Sequence, residues 1–137
     1  MRERIEKEKK MPKIPQIIKD VGFDFHWSEE KVWKLEVAIT EMDIRELLWH
    51  FDVPFLDAKG ERYNLTPREM MEHPDEHPEE HTRTLNADMR YPLDIMENKG
   101  RWLMLDGLHR LMKAYLNAEK SVRVRIIPRE RIPEIVQ

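Results

Sequence analysis

Asp106-Gly107-Leu108-His109-Arg110 places a carboxylate, a glycine, an imidazole and a guanidinium side by side. The residues before it, Arg101 to Leu105, read as a strand. After it Leu108, Leu111, Met112, Tyr115 and Leu116 recur at the spacing of one helical stripe. A helix that starts directly after a strand leaves its first backbone N–H groups unpaired, and the helix dipole favours negative charge there. The chemistry expected of this turn is therefore anion binding, with the phosphates of a nucleotide as the ligand. Gly107 lets a ligand approach the backbone, and Leu108 contributes its amide. His109 and Arg110 add donors in the first turn, and Lys113 one turn on extends the positive rim. Asp106 would repel a phosphate unless it caps the helix, orients a donor or holds Mg²⁺. The plainer alternative makes Asp106 an N-cap, Gly107 a turn residue, and His109 and Arg110 solvated surface groups.

The elements that must position this turn can be read on both sides of it. Tyr91-Pro92-Leu93-Asp94-Ile95-Met96 predicts a strand led by proline, Glu97 to Gly100 a hairpin turn, and Ser121 to Ile127 a half-exposed strand ending at Pro128. Residues 129–137 suit a short tail helix or an extended arm. Earlier in the chain, Ser28-Glu29-Glu30 starts a short helix, and the alternation of Leu35, Val37 and Ile39 predicts a strand over 34–39. Thr40 to Asp43 looks like a capping box for a helix carrying Ile44, Leu47, Leu48 and Phe51 up to Pro54. Lys59-Gly60 marks a small hairpin. Thr66-Pro67-Arg68-Glu69 is a strong helix start, and that helix should end near His73. Pro74 and Pro78 make residues 72–81 the expected mobile loop.

Composition narrows the function classes. The chain has 137 residues, enough for one domain, which we assign to residues 16–137 with a mobile charged arm over 1–15. The charged fraction is 37% while the formal net charge is only −3, which disfavours a bulk nucleic-acid binder. There is no cysteine, so disulfides, thiolate metal sites and thiol catalysis are excluded. No apolar run approaches the ~20 residues needed to span a bilayer, and a cytoplasmic protein is expected.

Residues 92–128, with a proline-led strand, a hairpin, a strand, Asp-Gly-x-His-Arg, an amphipathic helix and a valine-rich strand, resemble the ParB/sulfiredoxin superfamily. The resemblance implies an α+β domain, a small mixed sheet with packed helices, in which Gly107 to Arg110 is the phosphate-binding box. Sulfiredoxins carry a catalytic cysteine before the His-Arg pair, where this chain has Leu108, so sulfinic acid reduction is not expected. The helix-turn-helix domain that follows this module in chromosome-partitioning ParB proteins is not expected in the few residues after Pro128. Asp106 to Arg110 reproduces the wording of the free serine kinase-like members. That likeness implies a nucleotide, ATP or CTP, with Mg²⁺, and phosphoryl transfer to a small hydroxyl compound. Glu41 is then the best candidate for a catalytic carboxylate beside Asp106, with Asp43 in reserve. The alternatives are a non-catalytic, nucleotide-responsive module that binds a protein partner or a second copy of itself, and a nuclease-like protein, which the acidic net charge disfavours.

Other candidates are weaker. His73, His77 and His81 recur every four residues, as zinc ligands do on one helical face, but Pro74 and Pro78 interrupt that face, and no metal site is assigned. Arg83 and Arg90 are reserve phosphate clamps against a plainer role in surface ion pairs. Trp27, Trp33, Trp49 and Trp102 could stack a base, although tryptophans at such positions more often fill core.

Overall fold

The computed structural model describes residues 14–137. The expected arm at residues 1–15 therefore falls almost wholly outside the described residues. Its centre is a four-stranded mixed sheet made by β1 (Ile39–Asp43), β4 (Leu93–Asn98), β5 (Arg101–Asp106) and β6 (Ser121–Ile126), in the order β1-β6-β4-β5. β4 and β6 run parallel, and the other neighbours are antiparallel. A second hairpin pairs β2 (Leu56–Ala58) with β3 (Glu61–Leu65). The helices are α1 (Gln16–Asp20), α2 (Glu29–Trp33), α3 (Pro67–Glu72), α4 (Pro78–Leu85), α5 (Leu108–Leu116) and α6 (Ile132–Ile135). The mixed α and β content and single small domain are those expected, and no described helix is long and apolar enough to cross a membrane.

Each face of the sheet has its own core. Leu111, Met112 and Ala114 of α5 bury against Leu93, Ile95, Met104 and Val124 on one face, together with Leu47, Phe51 and Met70. Met96, Leu105 and Ile127 meet Val32 of α2 and Ile135 of α6 on the other. Apolar residues on both sides of the strands explain why β4 reads as a nearly continuous hydrophobic run.

Three expected elements differ. The strand predicted over 34–39 forms instead at Ile39–Asp43, and the helix expected after it is a pair of 3-10 turns, Ile44–Glu46 and Leu48–Asp52. Leu35 and Val37 are apolar because they pack, partly buried, against the core under α2, not because they belong to a ladder. The segment 72–81 is a 3-10 turn, Pro74–Glu76, followed by α4. Each proline stands at the first position of its turn, where a missing N–H is harmless. The prolines thus start helices here. They also set His73, His77 and His81 on separate turns, and among the described residues no three metal-ligating side chains converge.

One irregularity governs the rest. Ile95 pairs with Met104, but Asp94 pairs with Asp106, so Leu105 is an extra residue, a β-bulge in β5. In a regular strand Asp106 would share the face of Met104 and Ile95; the bulge moves it to the face of Asp94. Two side chains hold the bulge. The Trp27 indole N–H donates to the Leu105 carbonyl at 2.9 Å. His50, fully buried, accepts from the Met104 amide through Nε2 at 3.0 Å, while its Nδ1 donates to the Leu47 carbonyl at 2.7 Å. These partners require the neutral imidazole.

Burial drives the His50 pKa down to about 4 from an unfolded value of 6.5. The unfolded chain therefore binds the extra proton between those pH values. His50 then contributes stability that is complete above pH 6.5 and lost as the pH falls towards 4, on the order of 3 kcal/mol. Urea unfolding of the wild type and of His50→Gln across pH 4 to 7 should show this slope in the wild type alone. Parallel pH profiles would remove His50 from the account.

Candidate functional site

The strand-to-helix turn is where the sequence placed it. β5 ends at Asp106, Gly107 stands at the N-cap of α5 with φ +117°, and α5 begins at Leu108. A glycine is needed here on two grounds. The backbone is left-handed, and a Cβ would lie 2.7 Å from a methyl of Leu93 and 3.1 Å from Nη2 of Arg110. Gly107 has no side chain to cap the helix, and the first intrahelical bond runs from the Leu111 amide to the Gly107 carbonyl at 2.9 Å. The amides of Leu108, His109 and Arg110 therefore have no partner within α5.

These residues line a cleft of about 780 Å³ that also takes in Glu29 of α2, Arg62 of β3, and Glu80 and Arg83 of α4. The two basic side chains of the turn do not converge on its mouth. The His109 imidazole donates to the buried Glu80 carboxylate at 2.7 Å, and Arg83 holds the other oxygen of Glu80 at 3.3 Å. The Arg110 guanidinium folds back over Gly107 and donates through Nη2 to Asp106 Oδ2 at 3.0 Å. Successive helical positions point about 100° apart, which is why His109 and Arg110 reach different acids. His109 and Arg110 do not form the expected double clamp, and acids outnumber basic side chains in the lining of the cleft.

Asp106 does not cap α5; its carboxylate is an anchor. Oδ2 also accepts the Trp33 indole N–H at 2.7 Å, which ties α2 to the turn. Beside it on the same sheet face, the buried Asp94 pairs with Arg125 at 2.7 Å, and Arg125 also donates to the carbonyls of Val32 and Leu35. Burial pushes the Asp94 carboxyl up, partly offset by Arg125. Glu29 stands above the usual carboxylate range because the cleft desolvates it and Asp106 is nearby.

Two expected site residues lie elsewhere. Lys113 donates to the carbonyls of Leu85 and Ala87, at 2.8 and 3.1 Å, and so closes the C-terminal end of α4 rather than extending a positive rim. Glu41 is exposed in the middle of edge strand β1, opposite Arg123. With β6 and β4 between β1 and β5, it stands three strand spacings away, roughly 14 Å. Residues 40–43 extend into a strand instead of opening a helix towards the cleft, which keeps Glu41 apart from Asp106. Asp43, the reserve, caps the following 3-10 turn and is held down to about 2 by Arg45. Arg90 pairs with Asp88. Sequence reasoning gave Glu29 only a place in the first turn of α2, Glu80 only a place in the acidic segment 72–81, and Asp94 only a place in a strand.

No family model matches the chain, and no curated protein matches it. Among solved structures, the crystal structure of sulfiredoxin from Arabidopsis thaliana is similar, with 17% identity and a TM-score of 0.34, over 70% of this chain and 93% of that one. A likeness at that level assigns neither a residue nor an activity, and the fold class stands on the sheet and helices themselves.

Replacing Gly107 by alanine should destabilise the protein by about 1 to 3 kcal/mol, read as a lower Tm, because the new Cβ meets Leu93 in a left-handed backbone. An unchanged Tm would mean that the turn is not held in this conformation.

Proposed function

We propose that the head of α5 binds the phosphates of a Mg²⁺-nucleotide, ATP or CTP. The observation that supports this most is the uncapped turn itself: three successive amides at the mouth of a cleft, behind a glycine whose conformation and contacts exclude a side chain. Gly107, Leu108 and Arg110 are the binding residues, and His109 joins them when a ligand competes with Glu80 for its N–H.

The acids of the cleft favour the magnesium complex over a bare anion. Glu29, Asp57, Glu80, Asp88 and Asp106 all line it and would repel a naked triphosphate. Mg²⁺ needs only one or two protein carboxylates when phosphates and water complete its shell, which suits acids that do not themselves form a metal cage. Arg110 can donate to a phosphate while keeping Asp106, since its guanidinium has five N–H donors and one of them makes that bond.

Phosphoryl transfer to a small hydroxyl compound is the activity that resemblance to the serine kinase-like proteins suggests. Glu41 stands outside that scheme, and of the acids that line the cleft Asp106 is the one that adjoins the turn itself. Transfer would depend on positioning and charge stabilisation by this turn.

Melting curves with ATP, CTP, ADP or sulfate, each with and without Mg²⁺, provide the test, because a ligand that binds only the folded chain raises Tm. A nucleotide with Mg²⁺ should give the largest rise. Arg110→Ala should weaken it at least about tenfold, the usual weight of one charge-assisted bond, while Glu41→Gln and Lys113→Met should leave it unchanged. No rise with any nucleotide would dismiss the proposal. ADP formation in a mixture of hydroxyl metabolites separates a kinase from a binding module.

A further inference from the structure

Beyond the Asp106–Arg110 pair lies a second groove, of about 1140 Å³, which shares Tyr91, Asp106 and Arg110 with the phosphate cleft and is otherwise walled by Trp33, Leu35, Val37 and Ile39. Trp33, Ile39 and Tyr91, all among the large apolar side chains left exposed, converge on it, at 56%, 52% and 60% exposure. Trp27, Trp49 and Trp102 are each at least partly withdrawn from solvent, whereas Trp33 offers its ring to the groove wall. The ring is also fixed: its N–H is bonded to Asp106 Oδ2, the same oxygen that Arg110 holds. One carboxylate oxygen thus joins an exposed indole to the guanidinium of the phosphate cleft.

The groove selects by charge. Asp94 is paired with Arg125 and Asp106 with Arg110, and the exposed Glu36 adds a carboxylate to the lining, so an anion is disfavoured in it. Among the described residues, hydrogen bonds to these acids fall on Oδ1 of Asp94 and Oδ2 of Asp106, which leaves one oxygen of each as an acceptor. A flat, uncharged group with N–H donors on its edge matches aromatic walls above an acceptor floor. A linear apolar chain would use the walls and leave the acceptors desolvated and unpaired.

We infer that this groove receives the base of the nucleotide whose phosphates lie at the head of α5, stacked between Trp33 and Tyr91 with its exocyclic amino group donating to Asp94 or Asp106. This rests on the phosphate reading above. Ligand and groove then share Arg110 and Asp106 as the boundary between the charged and the flat end of one molecule.

Titration calorimetry with ATP, CTP and inorganic tripolyphosphate, each as its Mg²⁺ complex, tests the inference apart from the reading beneath it. The wild type should bind one of the nucleotides roughly tenfold or more tightly than tripolyphosphate. Tyr91→Ala, on an exposed residue, should erase that preference and leave tripolyphosphate binding intact. Trp33→Phe keeps a ring and drops the bond to Asp106, so it should retain most of the preference, whereas Trp33→Ala should lose it. Equal binding of nucleotide and tripolyphosphate to the wild type, or a preference that survives Tyr91→Ala, overturns the base site while the phosphate site stands. No binding of either ligand overturns both. A concentration-dependent dimer in sedimentation that Tyr91→Ala splits would assign the groove to a second copy of the chain and overturn the inference.

Discussion

The β-bulge at Leu105 is the constraint on which the site depends. Antiparallel pairing alone would put Asp106 over the core that α5 shares with Ile95 and Met104, where an ion would have to be buried. One extra residue carries it to the opposite face, beside Asp94 and within reach of Trp33. The chain then turns at Gly107 to bring α5 back over the first face. The strand therefore delivers a carboxylate to one side of the sheet and a helix to the other, with free amides at the junction.

Bulges need support, because the extra residue breaks the ladder and leaves backbone groups to be satisfied. Here the support comes from far away in sequence. Trp27 takes the Leu105 carbonyl and His50 takes the Met104 amide. His50 sits in a shell of rings, stacked on Trp49 at 3.8 Å and edge-on to Phe23. That packing accounts for a fully buried polar side chain in a chain with few of them: a residue that both donates and accepts can close two backbone groups where an apolar one would orphan them.

This also shows what the sequence could convey. Local signals were reliable where local energetics decide. Thr66 caps α3 through the Glu69 amide, Ser28 caps α2 through the Lys31 amide, and Lys59-Gly60 and Lys99-Gly100 turn their hairpins in left-handed conformations. The Asp106 to Arg110 turn was legible for the same reason. Signals failed where tertiary pairing overrides them. Thr40 to Asp43 has the letters of a capping box, yet it pairs with β6 through a register of Ile39 with Arg125 to Asp43 with Ser121. The bulge has no letter of its own, and it appears only when Met104 and Asp106 are both assigned partners on β4. The partners of His109 and Arg110 were likewise invisible, since Glu80 and Asp106 compete for them through geometry that spacing does not encode.

Those ion pairs change the character of the site. An open, electropositive mouth would attract any anion, sulfate and nucleic acid included. Here the imidazole already has an acid and must exchange one partner for another, so the net gain at His109 is the difference between two hydrogen bonds, which is small, while Arg110 keeps Asp106 and has donors to spare. On the proposed function, discrimination would come from what the ligand adds beyond its charge: a magnesium ion that satisfies the acids of the cleft, and a flat end that fills the Trp33 groove. Asp106 is where these requirements would meet, because one of its oxygens holds both the guanidinium of Arg110 in the cleft and the indole of Trp33 in the neighbouring wall, so the two walls share a single acceptor.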